Sequence, residues 1–119
     1  EPTAGLDPSG RDSILKTIKS LHKKNRDMII IFISHSMEDV AKTAEHIIVM
    51  NKGRIETEGS VSEIFEKADT LRKIGLNVPQ ITTLCDRLRN AGLNLPENIY
   101  TVGYAADALT SLLGGGRNV

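Results

Sequence analysis

The 119-residue sequence holds one cysteine, Cys85, so no disulfide can close within it, and a lone thiol fits a reducing compartment. No stretch reads as a signal peptide. No apolar run approaches the roughly 20 residues that a membrane-spanning helix needs. Any membrane association is therefore expected to come through a partner. Neither sign of charge is in excess: fifteen basic side chains balance fifteen acidic ones, leaving no global field for nucleic acid or anionic lipid. Aromatics make up only 3%, and Tyr100 and Tyr104 lack the basic, aromatic-rich setting of a nucleic-acid face. No internal repeat is evident. No carboxylate or cysteine stands at metal-ligand spacing from His22 or His46, which leaves both as structural residues and no metal site. A G-x-x-x-x-G-K-[ST] loop, the usual cradle for the β- and γ-phosphates of a nucleotide, is also absent.

What is present suits one small domain, or part of a larger one with an appendage. Charged residues (25%) and hydrophobic residues (39%) stand at ordinary globular levels. Pro2 to Gly10 carries two prolines and two glycines and reads as a loop. A helix is expected from there to about Lys24, with Ile14, Leu15, Ile18 and Leu21 as its apolar stripe. The basic run Lys23-Lys24-Asn25-Arg26 reads as its solvated end, where cations are favoured. Met28 to Ile33 is unbroken in its apolarity, which predicts a central strand buried on both faces. Ser36-Met37-Glu38-Asp39 matches a capping box opening a helix to about Ala44, with Met37, Val40, Ala41 and Ala44 inward. Ile47–Met50, the turn Asn51-Lys52-Gly53 and Arg54–Glu58 form a predicted hairpin. Ser60-Val61-Ser62-Glu63 is a second capping box, starting a helix through about Lys67. The order of elements predicts an α/β domain with covered sheet faces.

Beyond this the composition changes. Residues 69–78 read as a short helix and loop closed by Val78-Pro79. Ile81, Leu84, Cys85 and Leu88 repeat at helical spacing up to a C-capping Gly92, with Cys85 as core packing. Thr101 caps a predicted last helix with the stripe Val102, Ala105, Ala106, Leu109, Leu112 and Leu113. Gly114-Gly115-Gly116 stops it before a frayed tail.

The most informative stretch is Glu1-Pro2-Thr3-Ala4-Gly5-Leu6-Asp7-Pro8, followed one helix and one strand later by Ser34-His35. A carboxylate just past a strand's carboxyl end lies where open α/β sheets bind ligands, and a histidine ending the next strand can reach the same crevice as a donor. Taken singly, a leading glutamate is a solvated charge and a histidine after a strand is a capping or core residue. Together, at this spacing, the residues resemble the ATP-binding-cassette (ABC) ATPases. The resemblance implies Glu1 as the catalytic base and His35 as the γ-phosphate sensor. It also makes Ala4, Gly5, Leu6 and Asp7 the contact loop between two nucleotide-binding subunits. ATP and Mg2+ are then the cofactors of the intact parent, with an Mg-binding aspartate expected directly before Glu1. The phosphate loop, the Ser-Gly-Gly-Gln signature and the glutamine-loop region are missing. Phosphoryl transfer is mostly positioning and electrostatics, so this stretch alone is expected to be inactive and to hold no nucleotide. A start at Glu1, inside a loop, is what a trimmed chain would show.

The fold implied is the C-terminal part of a P-loop NTPase domain (residues 1–79) followed by a small helical extension (residues 80–119). Gly75-Leu76-Asn77-Val78-Pro79-Gln80-Ile81-Thr82 and the two helices after it resemble the energy-coupling-factor branch, whose ATPases serve cobalt and vitamin uptake. That implies a peripheral subunit on the cytoplasmic face of the cell membrane. Its implied partners are a second ATPase subunit, as homo- or heterodimer, a transmembrane coupling protein and a substrate-binding membrane protein. An alternative class is a binding module, with residues 80–113 as a dimerisation or regulatory unit. The extension's apolar stripes are expected to be buried either between paired subunits or against their own domain. Lacking the strand before it, Met28–Ile33 is expected to expose a hydrophobic edge through which the piece self-associates.

Overall fold

A computed structural model describes residues 1–114. The elements run α1 (Pro8–Lys24), α2 (Met37–Thr43), β1 (His46–Asn51), β2 (Arg54–Ser60), α3 (Val61–Phe65), α4 (Ala68–Lys73), α5 (Gln80–Asn90) and α6 (Val102–Leu113). The expected frayed tail lies outside the described residues.

Helix α1 begins inside the stretch expected to be loop. Asp7 adopts extended backbone and accepts a hydrogen bond from the Gly10 amide at 2.8 Å, while Pro8 follows at the first helical position. Asp-Pro is a strong start signal, because the carboxylate satisfies an orphan amide and the ring presets φ. Of the four residues in its expected stripe, Leu15 is buried and Ile18 half-buried, while Ile14 and Leu21 face solvent.

The one sheet among the described residues is the antiparallel hairpin β1-β2. Its two-residue turn holds both Lys52 (φ 51°) and Gly53 (φ 75°) in the left-handed region, as a type I′ hairpin turn demands. A bulge after Val49 slips the register, so Val49 faces Thr57 and Met50 faces Ile55. Val49 turns into the core, whereas Ile48, Met50 and Ile55 lie on the opposite, exposed face.

The expected central strand Met28–Ile33 is overturned. The segment takes no regular structure and pairs with no strand among the described residues. Its side chains alternate: Ile30 and Phe32 are half-buried, while Ile29, Ile31 and Ile33 are 86%, 86% and 77% exposed. A strand needs a neighbour to bond its amides and carbonyls, and the hairpin lies elsewhere. The expected covered sheet faces are likewise not found here. The exposed hydrophobic run foreseen for this segment is present, as a face rather than only an edge.

Two apolar clusters organise the described residues. The first gathers Val40, Val49, Ile64, Phe65, Leu71 and Val78, with Phe32, Met37, Ala41 and Ala44 packed against it. The second gathers Cys85, Leu95, Ile99 and Ala105 between α5 and α6, with Ile81, Leu88 and Leu109 beside it. Thr82 replaces Leu84 on the inner face of α5, donating its hydroxyl to the Ile99 carbonyl at 2.7 Å, while Leu84 is half exposed. Helix α6 buries only the narrow line of Ala105, Ala108 and Leu109; Val102, Ala106, Leu112 and Leu113 of its expected stripe face solvent.

Ser60 and Glu63 form a complete capping box on α3, each side chain bonding the other's backbone amide. The box expected on α2 is only half made. Ser36 Oγ accepts the Asp39 amide, but Ser36 N–H goes to Ser34 Oγ and the Asp39 carboxylate turns elsewhere. Among the described residues, no helix is long and apolar enough to cross a membrane.

Candidate functional site

Glu1 opens a tight loop, held by the bonds from Ala4 N–H to the Glu1 carbonyl and from Leu6 N–H to the Thr3 carbonyl, each 3.3 Å. Gly5 takes φ 75° there, a conformation that costs a residue with a side chain. His35 ends the segment that comes back from α1, immediately before Ser36 caps α2. These two paths converge. Glu1 Oε1 accepts the His35 backbone amide at 3.0 Å and pairs with the imidazole Nδ1. The amide of His35, helped by the imidazole, holds the Glu1 carboxyl below its ordinary pKa against a smaller opposing effect of burial. The glutamate side chain is 37% exposed and the imidazole 82%, so the pair is open to a ligand.

The chemistry of this pair follows from its donors. A carboxylate engaging Nδ1 fixes a proton there and leaves Nε2 facing outward. In the neutral ring Nε2 accepts; only the imidazolium donates from both nitrogens. The Glu1 oxygen not engaged with His35 can accept a proton or orient water.

The remaining residues singled out in the sequence are not drawn into this pair. Ala4, Gly5, Leu6 and Asp7 form an exposed rim, and Asp7 is the N-cap of α1. His22 lies 3.8 Å from Glu45, and His46 lies 3.5 Å from Glu58, as surface contacts. Cys85 is buried in the second cluster, and burial pushes its thiol pKa up. Among the described residues no group of three or more histidine, cysteine or acidic side chains could hold a metal ion.

A network of four residues near the pair was not foreseen from the sequence. Thr3 Oγ1 donates to Asp39 Oδ2 at 2.6 Å, and Arg11 Nη2 donates to Asp39 Oδ1 at 2.9 Å and to Ser36 Oγ at 3.1 Å. The Asp39 side chain is only 5% exposed. Asp39 was visible as the acidic third residue of a capping box, and that local pattern concealed its long-range use.

No family model matches the chain. Curated relatives do. It is 53% identical over 113 residues, 95% of the chain, to the energy-coupling factor transporter ATP-binding protein EcfA2 of Clostridium perfringens. It is 49% identical over its whole length to the protein of that name from Caldanaerobacter subterraneus, and 50% identical over 94% to that of Clostridium tetani. These stretches are 39%, 41% and 38% of the relatives, so the chain spans about two-fifths of their length. Similarity to these relatives supports a stretch that resembles part of an ABC ATPase. In particular, it resembles the C-terminal part of the energy-coupling-factor transporter ATP-binding subunit.

Proposed function

We propose that this stretch belongs to the ATP-hydrolysing subunit of an energy-coupling-factor importer, with Glu1 polarising the attacking water and His35 contacting the γ-phosphate. The observation that carries the reading is the Glu1–His35 contact, made between residues far apart in sequence. The exposed carboxylate and imidazole fit the terminal phosphate of ATP and its water, since one supplies an acceptor and the other a donor. Mg-ATP, when bound, supplies the phosphoanhydride and the metal's charge, and other residues of the parent hold the metal. His35 donates from Nε2 only when it is an imidazolium or when Nδ1 releases Glu1, so the contact couples base and sensor. Ala4, Gly5, Leu6 and Asp7 are, in this reading, the loop that meets a second ATPase subunit, and their exposure supports it. The other partners in this reading are a membrane coupling protein and a substrate-binding membrane protein, with the ATPase peripheral on the cytoplasmic face. The cargo is a metal ion such as cobalt, or a vitamin. Residues 1–79 are the ATPase part and 80–119 the extension; the stretch by itself is inactive.

The test is steady-state hydrolysis by the full-length subunit in its assembled transporter. Glu1→Gln and His35→Ala are each expected to lower kcat by about 100-fold or more while nucleotide still binds. Wild-type kcat in both variants would remove these roles.

A second reading makes the extension a dimerisation or regulatory module. It is favoured by the second cluster's own small core and by the exposure of Val102, Tyr104, Leu112 and Leu113 on α6. Removing residues 80–119 from the full-length subunit is then expected to abolish pairing; unchanged pairing and transport would end this reading.

A further inference from the structure

We infer that Asp39, tied to Thr3 and Arg11, is the positioning group that sets Glu1 against His35; the inference rests on the ATPase reading of that pair. Glu1 and His35 are exposed, and an exposed carboxylate–imidazole contact is too weak to define its own geometry. What fixes it lies just beneath. Thr3 is two residues from Glu1, and Asp39 is one helical turn from His35. Their 2.6 Å bond is buried, with Thr3 8% and Asp39 3% exposed. Asp39 uses both oxygens: Oδ2 holds the loop of Glu1, and Oδ1 holds Arg11 on the first turn of α1. Arg11 also reaches Ser36 Oγ, next to His35. Three separate pieces of chain (the leading loop, α1 and the start of α2) thus meet at one carboxylate.

The form of the α2 cap supports this assignment. An acidic third residue after a serine N-cap would ordinarily return to the serine's amide. Here that amide is satisfied by Ser34 Oγ instead, and the carboxylate is directed across the fold. Burying a carboxylate is costly unless its oxygens are paired, and the pairs it makes are with the segments that carry the site. Small displacements of a reacting group carry large rate penalties, so a tie of this kind acts on turnover rather than on nucleotide affinity.

The experiment uses the full-length subunit in its assembled transporter. Thr3→Val keeps the shape of the side chain and removes only the donor; Thr3→Ser restores it. Thr3→Val is expected to lower kcat about tenfold with KM for ATP within about twofold, and Thr3→Ser to return kcat to near wild type. Amide hydrogen exchange at His35 is expected to quicken in Thr3→Val and not in Thr3→Ser. Asp39→Asn, which keeps the shape and loses the charge, is expected to follow Thr3→Val. If Glu1→Gln is inactive while Thr3→Val turns over at the wild-type rate, the positioning role alone fails. Equal losses in Thr3→Val and Thr3→Ser also overturn it, as does a fall in Tm that accounts for the lost activity. If Glu1→Gln itself turns over normally, the ATPase reading fails and this inference goes with it.

Discussion

Phe65 and Tyr100 meet with ring centroids 5.2 Å apart and planes inclined at 51°, joining the end of α3 to the segment that leads into α6. Tyr100 follows Ile99 of the second cluster directly and packs against the first, so this tilted aromatic pair is a bridge between the two cores. A tilted pair is worth about 0.5–1.5 kcal/mol beyond the area it buries. Tyr100→Leu keeps apolar bulk and removes the ring. It is expected to lower stability by about that amount and to broaden the urea transition, as two clusters unfold less cooperatively. Chemical denaturation monitored by circular dichroism checks this, and an unchanged midpoint and slope would deny the bridge.

The Glu1–His35 contact predicts an acid dependence whose sign follows from the carboxyl. Its folded pKa is lowered, chiefly by the His35 amide. The contact's contribution is therefore complete above the unfolded carboxylate value of about 4.3 and is lost as pH falls through the lower folded value. An NMR titration of the Glu1 carboxyl and the His35 amide is expected to show a shared midpoint below about 4.3. A midpoint at or above that value contradicts the contact.

The box of Ser60 and Glu63 is closed in both directions. Ser60→Ala is expected to cost about 1 kcal/mol, the usual effect of losing an N-cap side chain. Glu63 is also held below the ordinary carboxyl pKa, first by the Ser60 backbone amide and then by its hydroxyl. Its share of the cap is present above about pH 4.3 and fades below it. Thermal melts of wild type and Glu63→Gln are expected to differ at pH 7 and to converge near pH 3.

Ile29, Ile31 and Ile33 form one exposed apolar line on a segment that pairs with no strand among the described residues. Such a line is a template for another chain. The 119-residue chain is expected to sediment as a concentration-dependent oligomer, and Ile31→Lys to shift it toward monomer. A monomer at high concentration in the unmodified chain would rule this out.

Gly10 gives a further check on the cap of α1. A Cβ built there would come within 2.9 Å of Asp7 Oδ1. Gly10→Ala therefore sets a better helix former against a displaced cap. The net change in Tm is expected to be a loss, whereas Ser9→Ala one position earlier leaves Asp7 in place and is expected to change Tm little.

Local chemistry was legible in the amino-acid order. Lys-Gly, Ser-x-x-Glu and a threonine before an amphipathic run each specify a helix start or a turn through bonds spanning only a few residues, whereas the Asp-Pro that starts α1 lay hidden in a stretch rich enough in proline and glycine to read as loop. The helices, the hairpin and the pairing of Glu1 with His35 follow from such signals and from the family resemblance that the relatives share. Which apolar residues are covered was decided only in three dimensions. Met28–Ile33 has the composition of a buried strand, but burial depends on a neighbour and not on the segment itself. Leu84, Val102 and Leu112 keep helical spacing and still face solvent, because the space between α5 and α6 is filled by Thr82, Cys85, Ala105 and Leu109. Asp39 is the clearest case. Its neighbours in sequence specify a cap, and only the approach of Thr3 and Arg11 from elsewhere in the chain turns its carboxylate into the tie beneath the site.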